Sequence, residues 1–239
     1  MNPPPDQTDN DLLASLPGDV WERLSPHLDR VDLPLGAVLH ESGTRMGHVY
    51  FPSTAIVSLL YVLEDGDCAE IALVGREGLV GVALFMGGDT TTSQAVVQSA
   101  GQAYKLPAAV LHAEFERCGP FMHLLLRYAQ ALITQVAQTA VCNRHHCLEQ
   151  QLCRWLLLSL DRLHGNELTM TQGLIANMLG VRREGVTEAA LRLQRQGMIC
   201  YTRGHITVLD RASLEKRVCE CYSVVRRECE RLLPSRIAD

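Results

Sequence analysis

The chain has 239 residues, of which 47% are apolar and only 5% aromatic, enough for one large or two small domains with aliphatic cores. No run of eighteen apolar residues occurs, so no transmembrane helix is predicted. The net charge of −5 argues against a uniformly basic nucleic-acid binder. However, residues 1–140 carry 7 basic and 16 acidic side chains, whereas residues 141–239 carry 15 basic and 11 acidic ones. This asymmetry favours a DNA-binding module joined to a module of another kind.

The N-terminus and the cysteines indicate the cellular compartment. The first residues contain no basic side chain ahead of an apolar run, so we expect no secretory signal and a cytoplasmic location. In that compartment the nine cysteines are expected to be reduced thiols, and their odd number agrees with this.

The N-terminal half is predicted to be a β domain. Residues 1–11, rich in Pro and Asp, are predicted to be a disordered tail, and leucines and a valine at four-residue steps predict one helix over residues 12–28. Eight short β-rich runs with glycine-containing turns follow, at residues 31–35, 38–41, 49–51, 55–62, 68–74, 79–84, 93–98 and 101–106. Their even spacing predicts a double-sheet jelly roll or barrel, which we assign to residues 12–116.

A long apolar helix is predicted from residue 120 to about residue 143, and a second one over residues 147–163. The first helix carries a heptad-like seam, which consists of Phe121, Leu125, Tyr128, Leu132, Gln135, Thr139 and Cys142. Such a seam is typical of helices that pair along their length, so residues 117–146 are assigned to dimerisation. The alternative is a helix that packs only on its own β domain.

Residues 171–209 show the pattern of a winged helix-turn-helix, which we assign to residues 147–212. Ala176 is small where two helices must approach, Gly180 suits a left-handed turn, and Val186 is an apolar anchor for the second helix. Two short β-rich runs follow as a hairpin. A final helix is predicted over residues 213–239. The alternative is an ordinary helical hairpin inside a core.

The outward face of the second helix and the hairpin turn are predicted to contact DNA. The candidate residues are Arg182, Arg183, Glu184, Thr187, Glu188 and Arg203. The N-terminal end of a recognition helix enters the major groove, where Arg can hold guanine and Glu can accept from cytosine. We favour base contacts for Arg183 and Glu184, whereas Arg182 and Thr187 suit phosphate equally well. The alternative for each charge is a solvated helix face.

The segment TMTQGLIANMLGVRREGVTEAALRLQRQGMICYTRGHITVLD resembles the DNA-binding domain of the Crp/Fnr family, whose Arg-Glu pair falls on Arg183 and Glu184. The layout of LPLGAVLHESGTRMGHVYF resembles that family's cyclic-nucleotide-binding sensor domain. The resemblance implies an α+β protein with an N-terminal β jelly roll, a long dimerisation helix and a C-terminal winged helix-turn-helix. It implies a homodimeric transcription regulator on a two-fold symmetric double-stranded DNA site, with RNA polymerase as a candidate partner and no membrane contact.

The family's nucleotide-binding members hold their ligand with a Gly-Glu pair and with an Arg followed by Ser or Thr and Ala. By this resemblance Gly81 takes the Gly position and Ala95 is retained, but Val82 replaces the Glu and Ser93 falls where the Arg is expected. Residues 77–104 contain no Arg or Lys. A buried phosphate without a cationic partner is strongly disfavoured, so the usual cyclic AMP mode is not expected and the ligand is unknown.

The segment CNRHHC offers soft metal ligands. On one helix Cys142, His145 and His146 could share a side and hold zinc. We favour the alternative, a hinge between helices with Cys packed as a small hydrophobe, and therefore predict no metal and no cofactor. Cys219 and Cys221 would point about 200° apart on one helix, which argues against a metal pair. A metal- or redox-responsive switch that acts through protein partners is the alternative function.

An enzyme is not predicted. The sequence contains no nucleophile elbow, no metal-hydrolase helix motif and no glycine-rich phosphate loop with a lysine. A metal-dependent enzyme on the β domain would need clustered His and carboxylate ligands on its strands, and the β-rich region of residues 31–106 offers only His40 and His48 among its histidines. No catalytic residue is therefore assigned.

Overall fold

The computed structural model of the chain describes residues 4–163 and 165–233. In this part a β domain comes first, a long helix follows, and a helical domain with a small sheet completes the fold. The arrangement confirms the predicted α+β fold class. No helix among the described residues has the length and apolar character that a membrane span requires.

The β domain begins with α1 (Asp11–Ala14) and α2 (Gly18–Leu24) and continues with seven strands. These are β1 (Asp29–Leu33), β2 (Val38–His40), β3 (His48–Pro52), β4 (Ile56–Val62), β5 (Cys68–Val74), β6 (Gln94–Ser99) and β7 (Gly101–Pro107). The strands form a three-stranded sheet in the order β1-β7-β3 and a four-stranded sheet in the order β2-β6-β4-β5, with every neighbour antiparallel. Seven of the eight predicted β-rich runs are thereby confirmed.

The eighth predicted run, residues 79–84, is not a strand. Val80 makes a single bridge with Tyr50, and Gly81 then takes a left-handed conformation with φ 110°. A short 3₁₀ helix, Val82–Leu84, follows. The chain turns here because Gly81 allows a positive φ that an apolar strand residue would not adopt at low cost.

The N-terminal predictions need two corrections. Pro17 lacks a backbone N–H, and the single helix predicted over residues 12–28 is broken there into α1 and α2. The tail predicted as disordered is held by hydrogen bonds: the Asp6 amide donates to the Tyr104 hydroxyl at 2.9 Å, and the buried Asn10 side chain caps α1. Residues 1–3 lie outside the described part.

The middle of the chain is helical. It consists of α3 (Ala108–Phe115), α4 (Pro120–His145) and α5 (Leu148–Leu160). Helix α5 is buried along nearly its whole length. Its Trp155 and Leu156 share one core with Ile56 of β4 and Leu73 of β5, so the β domain and the C-terminal domain are joined by continuous apolar packing.

The predicted dimer seam of α4 is wrong, because it packs inside the chain. Phe121, Leu125 and Tyr128 belong to the core beneath the β domain. Further along, the Gln135 side-chain amide donates to the Leu73 carbonyl at 3.1 Å, and Cys142 is fully buried. The opposite stripe of α4 is exposed instead.

The C-terminal domain contains three strands and four helices among its described residues. They are β8 (Glu167–Thr169), α6 (Gln172–Leu179), α7 (Arg183–Arg195), β9 (Ile199–Thr202), β10 (His205–Val208), α8 (Arg211–Arg217) and α9 (Glu220–Leu232). The strands form one antiparallel sheet in the order β8-β10-β9, of which β8 was not predicted. The predicted final helix over residues 213–239 is broken by extended backbone at Val218 and Cys219, and residues 234–239 lie outside the described part.

Candidate functional site

The turn between α6 and α7 is built by local sequence. Thr171 caps α6 by accepting a hydrogen bond from the Leu174 amide at 3.3 Å. Gly180 ends the helix at φ 64° and ψ 38°, a left-handed conformation that costs Gly little. The Val181 amide then donates to the Ala176 carbonyl at 3.0 Å, which closes the turn.

Helix α7 is oriented by the core beneath it. The structure places Ala176 and Val186 in the core between α6 and α7, and Gly180 at the turn, with Val186 fully buried. Gly185 faces Leu148 of α5 so closely that a Cβ would lie 2.8 Å from the Leu148 Cδ2 atom. The opposite side of α7 is therefore the side presented to solvent.

The first turn of α7 displays charge. Arg182, Arg183 and Glu184 are exposed, and Arg182 occupies the N-cap position without a side-chain capping bond. The N-terminal amides of α7 therefore keep their partial positive charge, which favours a phosphate nearby.

The next residues of this face are partly engaged within the protein. The half-buried Thr187 hydroxyl lies 2.7 Å from the Gln172 Oε1 atom, which ties α7 to α6. Glu188 forms an ion pair with Arg192 one turn later, and Arg192 is also 3.9 Å from Glu149. The negative charge of Glu188, which would otherwise repel DNA phosphates, is thus neutralised within its own helix.

The hairpin β9–β10 forms the wing. Its two turn residues, Arg203 and Gly204, have φ values of 49° and 85°, the conformation of a tight hairpin turn that matches the strand twist. Arg203 is exposed at the tip. In the part of the chain that is described, Arg182, Arg183 and Arg203 have no acidic partner within ion-pair distance, so their charges are available to a ligand.

A cavity of about 350 Å³ opens on the β domain beneath α4. Its lining residues are His40, Met46, Leu59, Tyr61, Ile71, Gly81, Val82, Ala83, Met86, Gly88, Thr91, Ser93, Leu132 and Val136. The structure thus brings Gly81, Val82 and Ser93 together at one cavity, while Ala95 is buried in the core beside it. The sequence analysis did not predict that His40 or the α4 residues would line this cavity, because they come from distant elements.

The cavity offers no charge to an anion. None of its lining residues is Asp, Glu, Lys or Arg. Burial lowers the pKa of His40, so this side chain is neutral at pH 7. Its Nε2 atom is buried without a hydrogen-bond partner among the described residues, and no other lining residue of the cavity is a histidine.

The CNRHHC segment is divided between two environments. His145 and Cys147 are exposed, whereas Cys142 and His146 turn towards α9 and meet Cys219 and Cys221. The sequence argument against Cys219 and Cys221 as neighbours is wrong, because Cys219 precedes α9 in extended backbone (φ −73°, ψ 164°) rather than lying on the helix.

Family models match both parts of the chain. A model of the cyclic nucleotide-binding domain matches residues 30–118, and a model of the Crp-like helix-turn-helix domain matches residues 150–217. None of the curated proteins compared with the chain matches it.

Solved structures of several regulators share the fold. FixK2 from Bradyrhizobium japonicum aligns with a TM-score of 0.68 at 15% identity, covering 80% of this chain and 98% of that one. A transcriptional regulator of the CRP/FNR family from Thermus thermophilus aligns with a TM-score of 0.62 at 21% identity, covering 82% and 98%. The c-di-GMP-responsive global regulator CLP of Xanthomonas campestris aligns with a TM-score of 0.62 at 16% identity, covering 80% and 99%.

Proposed function

Because the chain belongs to the Crp/Fnr family of transcription regulators, we propose that it is a homodimer that binds a two-fold symmetric DNA site and responds to a signal other than cyclic AMP. One observation carries the DNA-binding part of this proposal. Arg182, Arg183 and Arg203 are exposed and have no acidic partner among the described residues, and they lie at the start of α7 and at the tip of the wing. The family's proteins are regulators, and no catalytic role is proposed.

The recognition helix supplies the specificity. Arg183 lies in the first turn of α7, from which a guanidinium can donate two hydrogen bonds to the O6 and N7 atoms of guanine. Glu184 beside it can accept from the N4 amino group of cytosine. We assign Arg182 and Arg203 to contacts with DNA phosphates. The N-cap of α7 and the tip of the wing lie on either side of the first turn of α7, which is the part proposed to enter the major groove. Glu188 takes part only if its ion pair with Arg192 opens.

The dimer interface is assigned to the exposed stripe of α4, opposite the predicted seam. This stripe consists of Leu126, Gln130, Ile133, Ala137 and Ala140, with Val141 beside it, all of them exposed. The steps alternate between four and three residues, the spacing of a coiled-coil seam. Leu126 and Ile133 are 47% and 53% exposed, which is unfavourable in water and is relieved when a second copy covers them.

The oligomeric state of full-length protein tests this interface. Ile133→Glu should shift the sedimentation equilibrium from dimer to monomer, because two buried carboxylates would face each other across the seam. Leu63→Glu is the matched control, since Leu63 is 61% exposed in the β domain and lies outside the stripe. A wild-type protein that sediments as a monomer at micromolar concentration, with and without DNA, would contradict the proposal.

The sensor cavity supports a neutral ligand. Cyclic AMP carries a buried negative charge that the cavity cannot pair, because its lining offers neither a cation nor the family's Glu. The same argument applies to c-di-GMP, to which the Xanthomonas campestris relative responds, since that molecule carries two phosphates. The lining is largely apolar, with hydroxyl groups from Tyr61, Thr91 and Ser93, and this suits a small uncharged molecule.

The proposed cellular location and partner follow from the proposed binding to DNA. A regulator that binds DNA in a bacterial cell acts in the cytoplasm, where the DNA is, and RNA polymerase is the partner through which it would change transcription. We assign residues 12–116 to sensing, residues 117–146 to dimerisation and residues 147–212 to DNA binding.

A further inference from the structure

Four soft ligand side chains converge where α4 ends and α9 begins. Cys142 belongs to α4, His146 is its C-cap, Cys219 is the N-cap of α9, and Cys221 lies in the first turn of α9. All four ligand atoms lie within 4.8 Å of one another. These residues are up to 79 positions apart in sequence, so the fold, and not a local motif, brings them together.

The spacing fits a tetrahedral ion. The Sγ atoms of Cys142 and Cys219 are 3.6 Å apart, and the Cys221 Sγ atom is 3.6 Å from the His146 Nδ1 atom. Around a zinc ion with Zn–S near 2.3 Å and Zn–N near 2.0–2.1 Å, a tetrahedron has S···S edges of about 3.8 Å and S···N edges of about 3.6 Å. The observed separations are close to both.

A carboxylate fixes the histidine from its other side. The His146 Nε2 atom is 3.3 Å from the Glu220 carboxylate, and its Nδ1 atom is 3.6 Å from the Cys221 Sγ atom, so a proton on Nε2 would leave the Nδ1 lone pair free for an ion. Histidines that bind metals commonly donate their second ring N–H to a carboxylate in this way. This contact does not depend on the positions of the cysteines, and it likewise indicates a metal ion at the cluster.

A buried cation balances the charge. Three thiolates and one divalent ion carry a net charge of −1. The Arg154 guanidinium is only 5% exposed and donates to the Thr139 hydroxyl, and its Nε atom has no partner among the described residues. Arg154 lies near enough to Cys142 and Cys221 for its positive charge to act on both sulfurs.

We propose that Cys142, His146, Cys219 and Cys221 form a Cys₃His site for a thiophilic divalent cation, with zinc as the reference ion. On binding, the ion takes one donor atom from each residue, and any protons on the three sulfurs leave to solvent, so no oxidant or reductant is needed. The site clamps the C-terminal end of the dimerisation helix to the helix that follows the winged domain. It therefore ties α9, which follows the DNA-binding segment after α8, to the dimerisation helix.

The test uses full-length protein, reduced and stripped of metal, with Co²⁺ as an optical probe and Zn²⁺ as its competitor. We expect one Co²⁺ per chain, a thiolate-to-metal charge-transfer band, intense visible bands of a tetrahedral centre, and displacement of Co²⁺ by Zn²⁺. Cys219→Ser is paired with Cys200→Ser, an exposed cysteine outside the cluster, and His146→Ala is paired with the exposed His145→Ala.

The cluster variants should lose the charge-transfer band, or bind with altered intensity and much lower affinity, whereas the two control variants should titrate as the wild type does. Glu220→Gln provides a second test that leaves the core intact, because Glu220 is 73% exposed. This substitution should weaken the affinity for Co²⁺ roughly 10–100-fold, because loss of the carboxylate that holds a metal-binding histidine typically has an effect of this size. Circular dichroism of the metal-free proteins checks that each variant is folded.

Three results would overturn the proposal. One is the absence of stoichiometric Co²⁺ or Zn²⁺ binding by the reduced wild type. Another is stoichiometric binding that Cys200→Ser or His145→Ala abolishes and the cluster variants do not. The third is a purified protein in which Cys142 and Cys219 form a disulfide and which, after reduction, still binds no metal.

Discussion

Glu70 offers the sharpest test of how the β domain is joined to α5. This carboxyl group of β5 is buried, and its Oε2 atom lies 2.6 Å from the Ser58 hydroxyl. Ser58 is also 2.8 Å from the Gln98 Oε1 atom, and the Gln98 amide donates to Ser159 of α5 at 3.3 Å. When Glu70 is protonated it can donate to Ser58, which then donates to Gln98, so that Glu70, Ser58, Gln98 and Ser159 form one continuous chain of hydrogen bonds from β5 to α5.

The charged form of Glu70 is disfavoured. Burial raises its pKa from 4.5 to about 7, and the hydrogen bond from Ser58 opposes this shift only in part. Because the folded-state pKa is the higher one, the stabilisation that Glu70 provides is complete below pH 4.5 and is lost as the pH rises towards 7. The shift corresponds to about 3 kcal/mol at most.

Glu70→Gln should remove this pH dependence, because the amide keeps the shape and a hydrogen-bond donor but cannot ionise. We expect urea unfolding at pH 8 to show the variant more stable than the wild type by up to about 3 kcal/mol, with a smaller difference at pH 5. Glu64→Gln, an exposed position of the same domain, should keep the wild-type profile. Parallel profiles for Glu70→Gln and the wild type would refute the reasoning.

Two further predictions concern the turn and the cavity. Gly180→Ala should lower the free energy of unfolding by about 1–2 kcal/mol, because an L-residue is strained at φ 64°. Gly173→Ala inside α6 should instead raise the free energy of unfolding by about 0.5–1 kcal/mol. Denaturant unfolding measures both changes, and equal effects of the two substitutions would contradict the assignment of the turn to Gly180. Calorimetric titration should show no tight binding of cyclic AMP, since loss of one charge-assisted Arg–phosphate pair costs about one to two decades of affinity. Binding in the low micromolar range would show that a cation reaches the cavity.

The sequence predicted best where local signals decide the structure. Helix α6 ends at the turn that the sequence predicted, because Gly180 adopts the left-handed conformation there and Thr171 caps the start of the helix. At residue 81 a glycine made the prediction fail. The apolar run around it predicted a strand, but Gly81 adopts a positive φ and the chain turns there. A glycine in an apolar run is compatible with either outcome, and in the fold a Cβ at residue 81 would lie 3.0 Å from the Val49 Cγ1 atom.

The hydrophobic periodicity of α4 did not determine which of its faces is buried; the packing of the rest of the chain did. Helix α4 has apolar residues on two faces, and both show steps of three and four. The face of Phe121 and Leu125 is covered by the chain itself, and the face of Leu126 and Ile133 is left exposed. Heptad spacing alone does not tell which of two apolar stripes the rest of the chain will cover.

The cysteine cluster lay beyond sequence reasoning for another reason. Cys142 and Cys219 are 77 residues apart in the sequence. The break between α8 and α9, which turns Cys219 towards α4, contains no Gly or Pro from which it could have been predicted. Of the candidate DNA contacts, the sequence analysis indicated the exposed arginines but did not predict the Glu188–Arg192 ion pair, although the two residues lie one helical turn apart.

Selection of binding sites from random duplex DNA by the full-length protein tests the DNA-binding assignment most directly. We expect an inverted repeat whose half-sites are one helical turn apart, about 34 Å between centres. Arg183→Ala should bind the selected site more weakly by about 1–3 kcal/mol and lose discrimination at one base pair in each half-site, while Arg227→Ala, an exposed arginine of α9, should behave as the wild type. Enrichment of no sequence, or an Arg183→Ala variant that loses affinity equally for every sequence, would contradict the assignment of Arg183 to base recognition.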